Sequence, residues 1–547
     1  MVERSANLLG RLDSCSRILI ELLVVDSAVH DSVVGIDDLA QMVGDPVADV
    51  ERNLERLVST GTVVEQQHGR HTSYHIADPL IREMLYSDIS GTRRCVMHRR
   101  IAERLLESGR RQAATSHFVR AAQTGEDLAA RQLLSEAERA GDQQAIAEAL
   151  GVLGPTLGWQ GRFDAAEEVL LRSITLPAPA ARGAWLAHNL ALLATFDACR
   201  GQLGSARTRW AQAASSGPDH DPVIDGYGAF IKLLAGDLTT VTEQVKQAKS
   251  HDGTARSCLP DRLSACAAMA AAERGEVNEA RRHLEAAGTD NLTLGIVQSW
   301  HWWAKGVVAR AEGQLTTAVA VLQRAAEGYS AMNGWALAGF VLADLAEVTV
   351  SAGDCDAATR AASCAEDNAR RTGEPIQQAL HLLATACALT GNSRCDQAVS
   401  AALQAIDTFG SRGYALLAAR ARVVYAIAVR RSDHSAAEAA LREAASSFAA
   451  CGAVLRHEQA NALLTQLRSG GECTLDNDSG PNPLTRRERQ VAELAARGLS
   501  APQIAKRLHI GARTVETHLC HIYPKLGVTS KQQLVLHGTE LGLIPGQ

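Results

Sequence analysis

The sequence predicts a mainly α-helical protein built of three parts in series. Three observations lead to this prediction. Glycines recur every 35 to 40 residues through the middle of the chain, two amphipathic helices precede two short strands near its start, and the last 65 residues combine helix caps with apolar periods. The predicted parts are residues 1–110, 111–468 and 483–547, with a flexible linker at 469–482. Each part is a different kind of helical unit.

The first part follows a helix, helix, hairpin pattern. Residues 36–43 and 47–57 have the apolar period of helices, whereas 62–66 and 72–76 read as strands joined by the turn at 68–70. This order is typical of a winged-helix-like domain. Taken alone, it predicts a second DNA contact through Arg70 and the helix before the hairpin.

The middle part is predicted to be an array of helical pairs. Six glycines are each followed, five positions later, by alanine or, after Gly236, by valine, and the alanines allow close helix packing: Gly161, Gly201, Gly236, Gly275, Gly313 and Gly353. Weaker copies follow at Gly391 and at 432–434. The pattern resembles tetratricopeptide-type repeats with a longer period, which predicts a superhelix with a concave surface. A helical domain without regular stacking is the alternative.

The linker is rich in Gly, Ser, Asn, Asp and Pro and has little to bury. After it, Ser500 is predicted to cap a helix that has Pro502 in its first turn. A turn at 509–511 leads to a second helix, in which Val515, Leu519 and Ile522 recur at helical spacing. Helix, turn and helix in this order predict a DNA-reading unit.

The outward face of the second helix would meet the major groove, where base edges show a distinguishing pattern of donors and acceptors. Charge agrees with this prediction. Residues 483–547 hold nine Lys and Arg against four Glu, whereas the remainder of the chain holds 46 basic against 57 acidic residues. A basic module on an acidic body is typical of a nucleic-acid partner. The alternative is a small helical domain whose basic face is merely solvated.

The run from Leu484 to Leu526 resembles the C-terminal helix-turn-helix domain of LuxR-type transcriptional regulators. The shared motifs are Leu-Thr-x-Arg-Glu, Gly-x-Ser-x-x-x-Ile-Ala, Thr-Val-x-x-His and Lys-Leu-Gly-Val. The resemblance implies a four-helix domain that binds double-stranded DNA as a homodimer through a helix around 532–541. It implies base reading by Glu516, Thr517 and Cys520, and phosphate contacts by Lys506, Arg513, Thr514, Lys525 and Lys531.

Three residues depart from the family pattern. Ala501 stands in place of the usual Asn, and Gly511 stands in place of the Ser that caps the recognition helix. Pro524 is expected to bend or shorten the end of that helix.

Residues 78–102 are similar to the segment that joins the ATPase module to the helical repeats in large ATP-binding LuxR-type regulators. In that family the winged unit is an internal structural module. We therefore prefer a structural role for residues 1–110 over the direct DNA contact through Arg70. The chain resembles such a regulator without its N-terminal ATPase module. No Gly-Lys pair of a phosphate-binding loop occurs in the sequence, so ATP hydrolysis by this polypeptide is not expected.

Other signals are weaker. We expect no catalysis, cofactor or metal, since the histidines lack metal spacing and no nucleophile elbow occurs. The twelve cysteines are expected to be reduced core residues rather than disulfide or zinc ligands. Trp300, Trp302 and Trp303 could line an effector pocket, but plain core is the preferred interpretation. Without a membrane segment or signal peptide, we expect a cytoplasmic protein.

The sequence therefore predicts a cytoplasmic transcriptional regulator. A small-molecule or protein effector would bind the repeats and control a tethered DNA reader, with RNA polymerase as a further partner. Two alternatives remain: a helical-repeat interaction scaffold whose last domain has lost DNA binding, and a regulatory subunit of a separate ATPase switch.

Overall fold

The chain divides into two units, residues 1–465 and 466–547. The structure, a computed structural model, describes residues 14–27, 34–68, 71–78, 81–82, 85–86, 89, 91–108, 110, 113–114, 117–118, 121, 127–176, 182–217, 221–251, 261–286, 295–469, 486–508, 515, 519, 522–523, 526, 528 and 530–536. The predicted fold class is confirmed: the described residues are mainly α-helical, with helical repeats before a C-terminal helical unit. Among them, no helix has both the length and the apolar character of a membrane span.

The first unit begins with helices and one hairpin in the predicted order. The elements are α1 (Ser14–Asp26), α2 (Ile36–Val43), α3 (Val47–Ser59), β1 (Val63–His68), β2 (His71–Ile76) and α4 (Gly91–Glu107). The strands are antiparallel, with Val63 opposite Ile76 and His68 opposite His71. Both Val63 and Ile76 are buried against helix residues such as Leu19, Leu39 and Leu54. The classification of this region as winged-helix-like stays a prediction, and its turn residue Arg70 lies outside the described residues.

The repeats consist of antiparallel helices that follow one another along the chain. They are α5 (Asp127–Ala140), α6 (Gln143–Trp159), α7 (Phe163–Thr175), α8 (Arg182–Arg200), α9 (Leu203–Ser216), α10 (Pro222–Ala235), α11 (Leu238–His251), α12 (Asp261–Glu273), α13 (Val277–Ala286), α14 (Gly295–Ala311), α15 (Leu315–Ala331), α16 (Trp335–Ser351), α17 (Cys355–Thr372), α18 (Pro375–Gly391), α19 (Cys395–Ser411), α20 (Ala415–Val429), α21 (His434–Cys451) and α22 (Val454–Arg468).

The six predicted glycines end the first helix of successive pairs, as expected. Their φ angles lie between 75° and 97°, the left-handed region where a side chain is strained. At the weaker copy near Gly391, the left-handed residue is Ser393, with φ 58°. The repeat therefore persists there with its turn shifted by two residues.

The inner faces of the repeats differ from the predicted concave surface. The first helices of early pairs contact those of late pairs, as α6 contacts α16 and α10 contacts α20. We call the contact between these early and late helices the seam. Across it, the buried Tyr414 hydroxyl donates a hydrogen bond to the Ala198 carbonyl, 216 residues away in sequence. Small residues allow the close approach: the Cβ of a side chain at Gly236 would lie 2.7 Å from the Cys451 sulfur. The inner surface is therefore largely occupied by the protein itself.

The second unit contains α23 (Arg486–Ala496), α24 (Ala501–Leu508) and α25 (Lys531–Leu536). Their buried side chains form one core with described residues from the segment between α24 and α25. The members of this core with no exposed surface are Val491, Ala492, Ala495, Ile504, Val515, Ile522 and Leu534. The predicted linker lies outside the described residues except for Ser469.

Candidate nucleic-acid interface

The turn between α23 and α24 is built by local hydrogen bonds. Gly498 takes a φ of 90° and its N–H donates to the Ala495 carbonyl, which ends α23. The Ser500 backbone N–H then donates to Gln503 Oε1 at 2.8 Å, and the Ser500 hydroxyl donates to the same oxygen at 3.0 Å. The helix begins where the sequence predicts, but Gln503 supplies the cap because its side chain reaches back to Ser500.

The apolar period predicted for the second helix is confirmed at its described residues. Ile504 and Ala505 of α24 are buried, as are Val515, Leu519 and Ile522 of the segment that follows. Because this spacing points one face of a helix inward, residues 516, 517 and 520 belong to its other face if the period continues. That outward assignment stays a prediction.

The predicted DNA-contact residues fall mostly outside the description. Residues 509–514, 516–518, 520, 521, 524 and 525 are not described, which covers the predictions for Arg513, Thr514, Glu516, Thr517, Cys520 and Lys525, and the departures at Gly511 and Pro524. Lys506 lies within α24, but its side chain is not described.

Lys531 is the predicted contact residue whose side chain is placed. Its Nζ donates to the carbonyl oxygen of Gly498 at 3.0 Å. A lysine at a helix C-terminus satisfies a free carbonyl and complements the negative end of the helix dipole. Lys531 thus ties α25 to the end of α23, and two of its three ammonium protons remain for another acceptor such as a phosphate.

Sequence reasoning missed Arg507. Its side chain is exposed on α24, whereas Ile504 and Ala505 of the same helix are buried. Helical spacing alone did not show this, because residue 507 lies one turn after the buried Ile504 and flanks the buried stripe. Arg507 therefore joins Lys506 as a basic residue of this helix.

Of the three tryptophans that suggested a pocket, Trp300 and Trp303 are buried within the repeats, whereas Trp302 is half-buried beneath Arg324. Trp300 is fully buried and Trp303 is 3% exposed, and both pack against Phe230, with ring centroids 4.6 Å and 6.3 Å away. Trp303 also borders a cavity of about 50 Å³. Ligand pockets usually enclose roughly 300–1,000 Å³, so this space suits a few waters. The packing favours the core interpretation.

Next to this cavity lies a chain of charges, buried or nearly so except for the half-buried Glu347, which we call the internal ion network. Its members come from five helices: Glu273, Arg310, Asp344, Glu347, Arg420 and Arg456. Successive nitrogen–oxygen distances lie between 2.6 and 2.8 Å. The Trp303 indole N–H donates to Asp344 at 2.6 Å at one end of the chain.

Opposite charges keep Glu273 and Glu347 of this network ionised. Burial works to raise the pKa of Glu273, but the guanidinium groups of Arg310 and Arg456 outweigh it and hold that pKa below its usual range. Burial acts likewise on Glu347, whose pKa is held well below its usual range by Arg420 and Arg456. Both glutamates of the network are therefore charged, and each pairs with two arginines.

Comparison with known proteins identifies the C-terminal unit. Residues 482–537 match the family described as bacterial regulatory proteins, luxR family. A candidate HTH-type transcriptional regulator of Mycobacterium tuberculosis is 54% identical over 56 residues, which are 10% of this chain and 6% of that protein. The HTH-type transcriptional regulator MalT of Klebsiella pneumoniae is 45% identical over 60 residues, 11% of this chain and 7% of MalT.

These matches span less than a tenth of the relatives' own length. The chain is also similar to the crystal structure of a Signal Transduction ATPase with Numerous Domains protein with a tetratricopeptide repeat sensor, from Pyrococcus horikoshii. That likeness has a TM-score of 0.26 and 12% identity, and covers 85% of this chain and 65% of the other.

Proposed function

We propose, from the premise that the chain carries a LuxR-family helix-turn-helix domain at its C-terminus, that it is a transcriptional regulator that binds specific DNA sequences. The observation that supports this most is the match over residues 482–537. It coincides with a separate unit in which α23 and α24 pack on Val515, Leu519 and Ile522. A small helical unit of this kind can present one helix to the major groove.

The proposed interface assigns two roles to its side chains. Glu516, Thr517 and Cys520 would face the base edges, because their helical neighbours Val515 and Leu519 are buried. The phosphate-contact set comprises Lys506, Arg513, Thr514, Lys525 and Lys531. Phosphate contacts would position the domain, and the base contacts would select the sequence.

The remaining parts of the proposal concern control. A homodimer would place two recognition helices on half-sites about one helical turn apart. An effector, either a small molecule or a protein, would act through the repeats, and RNA polymerase would be the partner at the promoter. We also propose that the protein works in the cytoplasm and catalyses no reaction.

The salt dependence of DNA binding tests the proposal. The full chain is titrated onto a fluorescein-labelled duplex oligonucleotide at several salt concentrations. Each phosphate contact releases counterions and contributes about 0.9 to the slope of log K against log salt. Replacing Lys506 and Arg513 with Ala should therefore lower the slope by about 1.8 per bound domain. Replacing Arg139 and Arg442, two exposed arginines of the repeats, is the matched control and should leave it unchanged.

An unchanged slope in the Lys506 and Arg513 double variant would show that the contact face lies elsewhere. The absence of any duplex binding by the full chain, even in dilute buffer, would refute the proposed function. Sequence reading has its own test, selection of preferred sites from a random duplex library. Thr517→Ala should change the preference at particular bases, whereas a uniform loss of affinity would show that Thr517 only positions the helix.

A further inference from the structure

The last helix of the repeats is held by an unusually narrow stripe. Of the side chains of α22, Arg456, Ala460 and Leu464 are buried, one on each successive turn. In comparison, α20 buries ten side chains over the same length of 15 residues. The buried apolar residues are Ala460 and Leu464, with three leucines half-buried, so α22 removes less apolar surface from water than α20 does. The third member of the stripe is a charged residue.

Arg456 enters the internal ion network and joins two of its carboxylates. Its Nε lies 2.8 Å from Glu273 Oε2, and its Nη1 lies 2.7 Å from Glu347 Oε1. These partners are 183 and 109 residues away in sequence, on α12 and α16. The Arg456 side chain is 6% exposed and that of Glu273 is 8% exposed, whereas that of Glu347 is 24% exposed. One side chain thus connects α22 to two distant pairs of the array.

Because burying a charge is costly, we expect the ion pairs of Arg456 to be either fully formed or fully open. Moving an ion into the interior is costly, and the cost is offset only while its partners stay in place. Arg310 continues to pair with Glu273, and Arg420 with Glu347, when Arg456 leaves. Departure of Arg456 therefore leaves the network one positive charge short but does not dismantle it. The rest of the array can persist while α22 separates.

The position of α22 in the chain connects the Arg456 ion pairs to the DNA-binding domain. The helix ends at Arg468, directly before the segment that the sequence predicts as linker to the DNA-binding domain. A further described contact of α22 is local, because His457 Nδ1 lies 2.9 Å from the Ala445 carbonyl of the preceding helix, α21. When α22 leaves the network, the anchored end of the array moves back to α21.

We propose that Arg456 is a latch: its ion pairs with Glu273 and Glu347 dock α22 onto the repeats and restrain the DNA-binding domain, and their opening releases it. This inference rests on the proposed function for its effect on DNA. The latch itself is a property of the repeats and can be tested without DNA.

Amide hydrogen exchange in the full-length protein tests the latch directly. Arg456→Met keeps the length of the side chain and removes its charge, and should speed exchange in residues 454–468 at least tenfold. Residues 375–391, which form α18, serve as internal reference and should stay within twofold of the wild type. Arg442→Met is the control for loss of an arginine, because Arg442 pairs with Glu438 on the exposed surface of α21. It should change neither helix.

The proposal fails if Arg456→Met leaves exchange in 454–468 unchanged, or if α18 and α22 accelerate by the same factor. Arg456→Lys, which keeps the charge but cannot span both carboxylates with one planar group, should give an intermediate rate. Should Arg456→Met not fold, Glu273→Gln applies the same test from the other side of the ion pair. The reference helix is the same, and unchanged exchange in 454–468 would again contradict the latch.

The effect on DNA is measured with a labelled random-sequence duplex in dilute buffer. Release of α22 in Arg456→Met should tighten binding at least threefold relative to both the wild type and Arg442→Met. Faster exchange of α22 with unchanged affinity would show that the latch does not control the DNA-binding domain. If no version of the chain binds duplex, the proposed function is refuted, whereas the exchange result still decides whether Arg456 holds α22.

Discussion

The effect of Gly339→Ala on the free energy of unfolding distinguishes close packing from helix propensity, because the two predict changes of opposite sign. Gly339 lies in the middle of α16, a helix that buries thirteen of its seventeen residues. A methyl group at this position would lie 2.1 Å from Gln377 Oε1 and 3.1 Å from Asn368 Nδ2. Gln377 is fully buried; its Oε1 accepts from Asn368 Nδ2 at 2.8 Å, and its Nε2 donates to the Ala336 carbonyl at 2.9 Å. Gly339→Ala must therefore displace an amide that is bonded on both sides.

Two opposing terms set the magnitude. Glycine to alanine inside a helix stabilises by about 1 kcal/mol when the site is open. Each buried polar group left without its partner costs about 1–3 kcal/mol, and two hydrogen bonds are lost here. The loss exceeds the gain, so we expect Gly339→Ala to lower the free energy of unfolding by about 1–5 kcal/mol.

Urea unfolding followed by tryptophan fluorescence measures this change. All seven tryptophans lie between residues 159 and 335, so the signal reports on the repeats. Gly410→Ala is the matched control, because a methyl group there meets nothing within 4 Å, and it should be neutral or slightly stabilising. In a Gln377→Ala background the space is open, and Gly339→Ala should no longer destabilise. If Gly339→Ala behaved like Gly410→Ala in the wild type, the buried amide contacts would be refuted.

Three further predictions use other parts of the molecule. Ile504→Ala leaves a cavity at a fully buried position and should lower the free energy of unfolding of the C-terminal unit by about 2–4 kcal/mol. Amide exchange of residues 486–508 should then rise, while the urea transition followed by tryptophan fluorescence stays unchanged. Burial, and next the charge of Arg262, lower the pKa of His188 to about 4 from 6.5. The folded state therefore favours the neutral ring, and the free energy of unfolding falls as pH drops below 6.5, by about 2 kcal/mol at pH 5. In urea titrations at pH 7 and pH 5, His188→Gln should remove the part of this decrease that comes from His188. Tyr414→Phe deletes the seam hydrogen bond to Ala198 and should cost about 1–2 kcal/mol in the same urea assay, and a neutral result would mean that the seam is open in solution.

The sequence predicts the repeats well because their turns are decided locally. A glycine in left-handed conformation ends a helix whatever lies elsewhere in the chain, so a glycine spacing can be read without the fold. The period survives even where Ser393 replaces glycine in that conformation. The core of the C-terminal unit is predictable for the same reason, since burial of Ile504, Val515 and Leu519 follows from helical spacing.

The internal ion network could not be predicted in this way. Arg456 lies in a helix with a weak apolar pattern, where an arginine reads as a solvated residue. Its burial depends on the curvature of the whole array, which brings α12 and α16 to α22 across more than a hundred residues. No local pattern records that curvature, because it accumulates from small rotations between successive pairs. The predicted cap at Ser500 differs in detail, since the serine hydroxyl donates to Gln503 Oε1 instead of accepting from a first-turn amide.

The close packing between the inner faces of the repeats limits how an effector could act on them. The cavity beside Trp303 is about 50 Å³, so a ligand of metabolite size would have to part the surrounding helices to bind there. Parting them breaks contacts such as Tyr414 to Ala198 and strains the ion pairs of Arg456. Since a ligand shifts an equilibrium only by its different affinity for two states, one that binds inside would favour release of α22, and one that binds the outer faces would not. Exchange of residues 454–468, measured with each candidate ligand, separates these two modes of control.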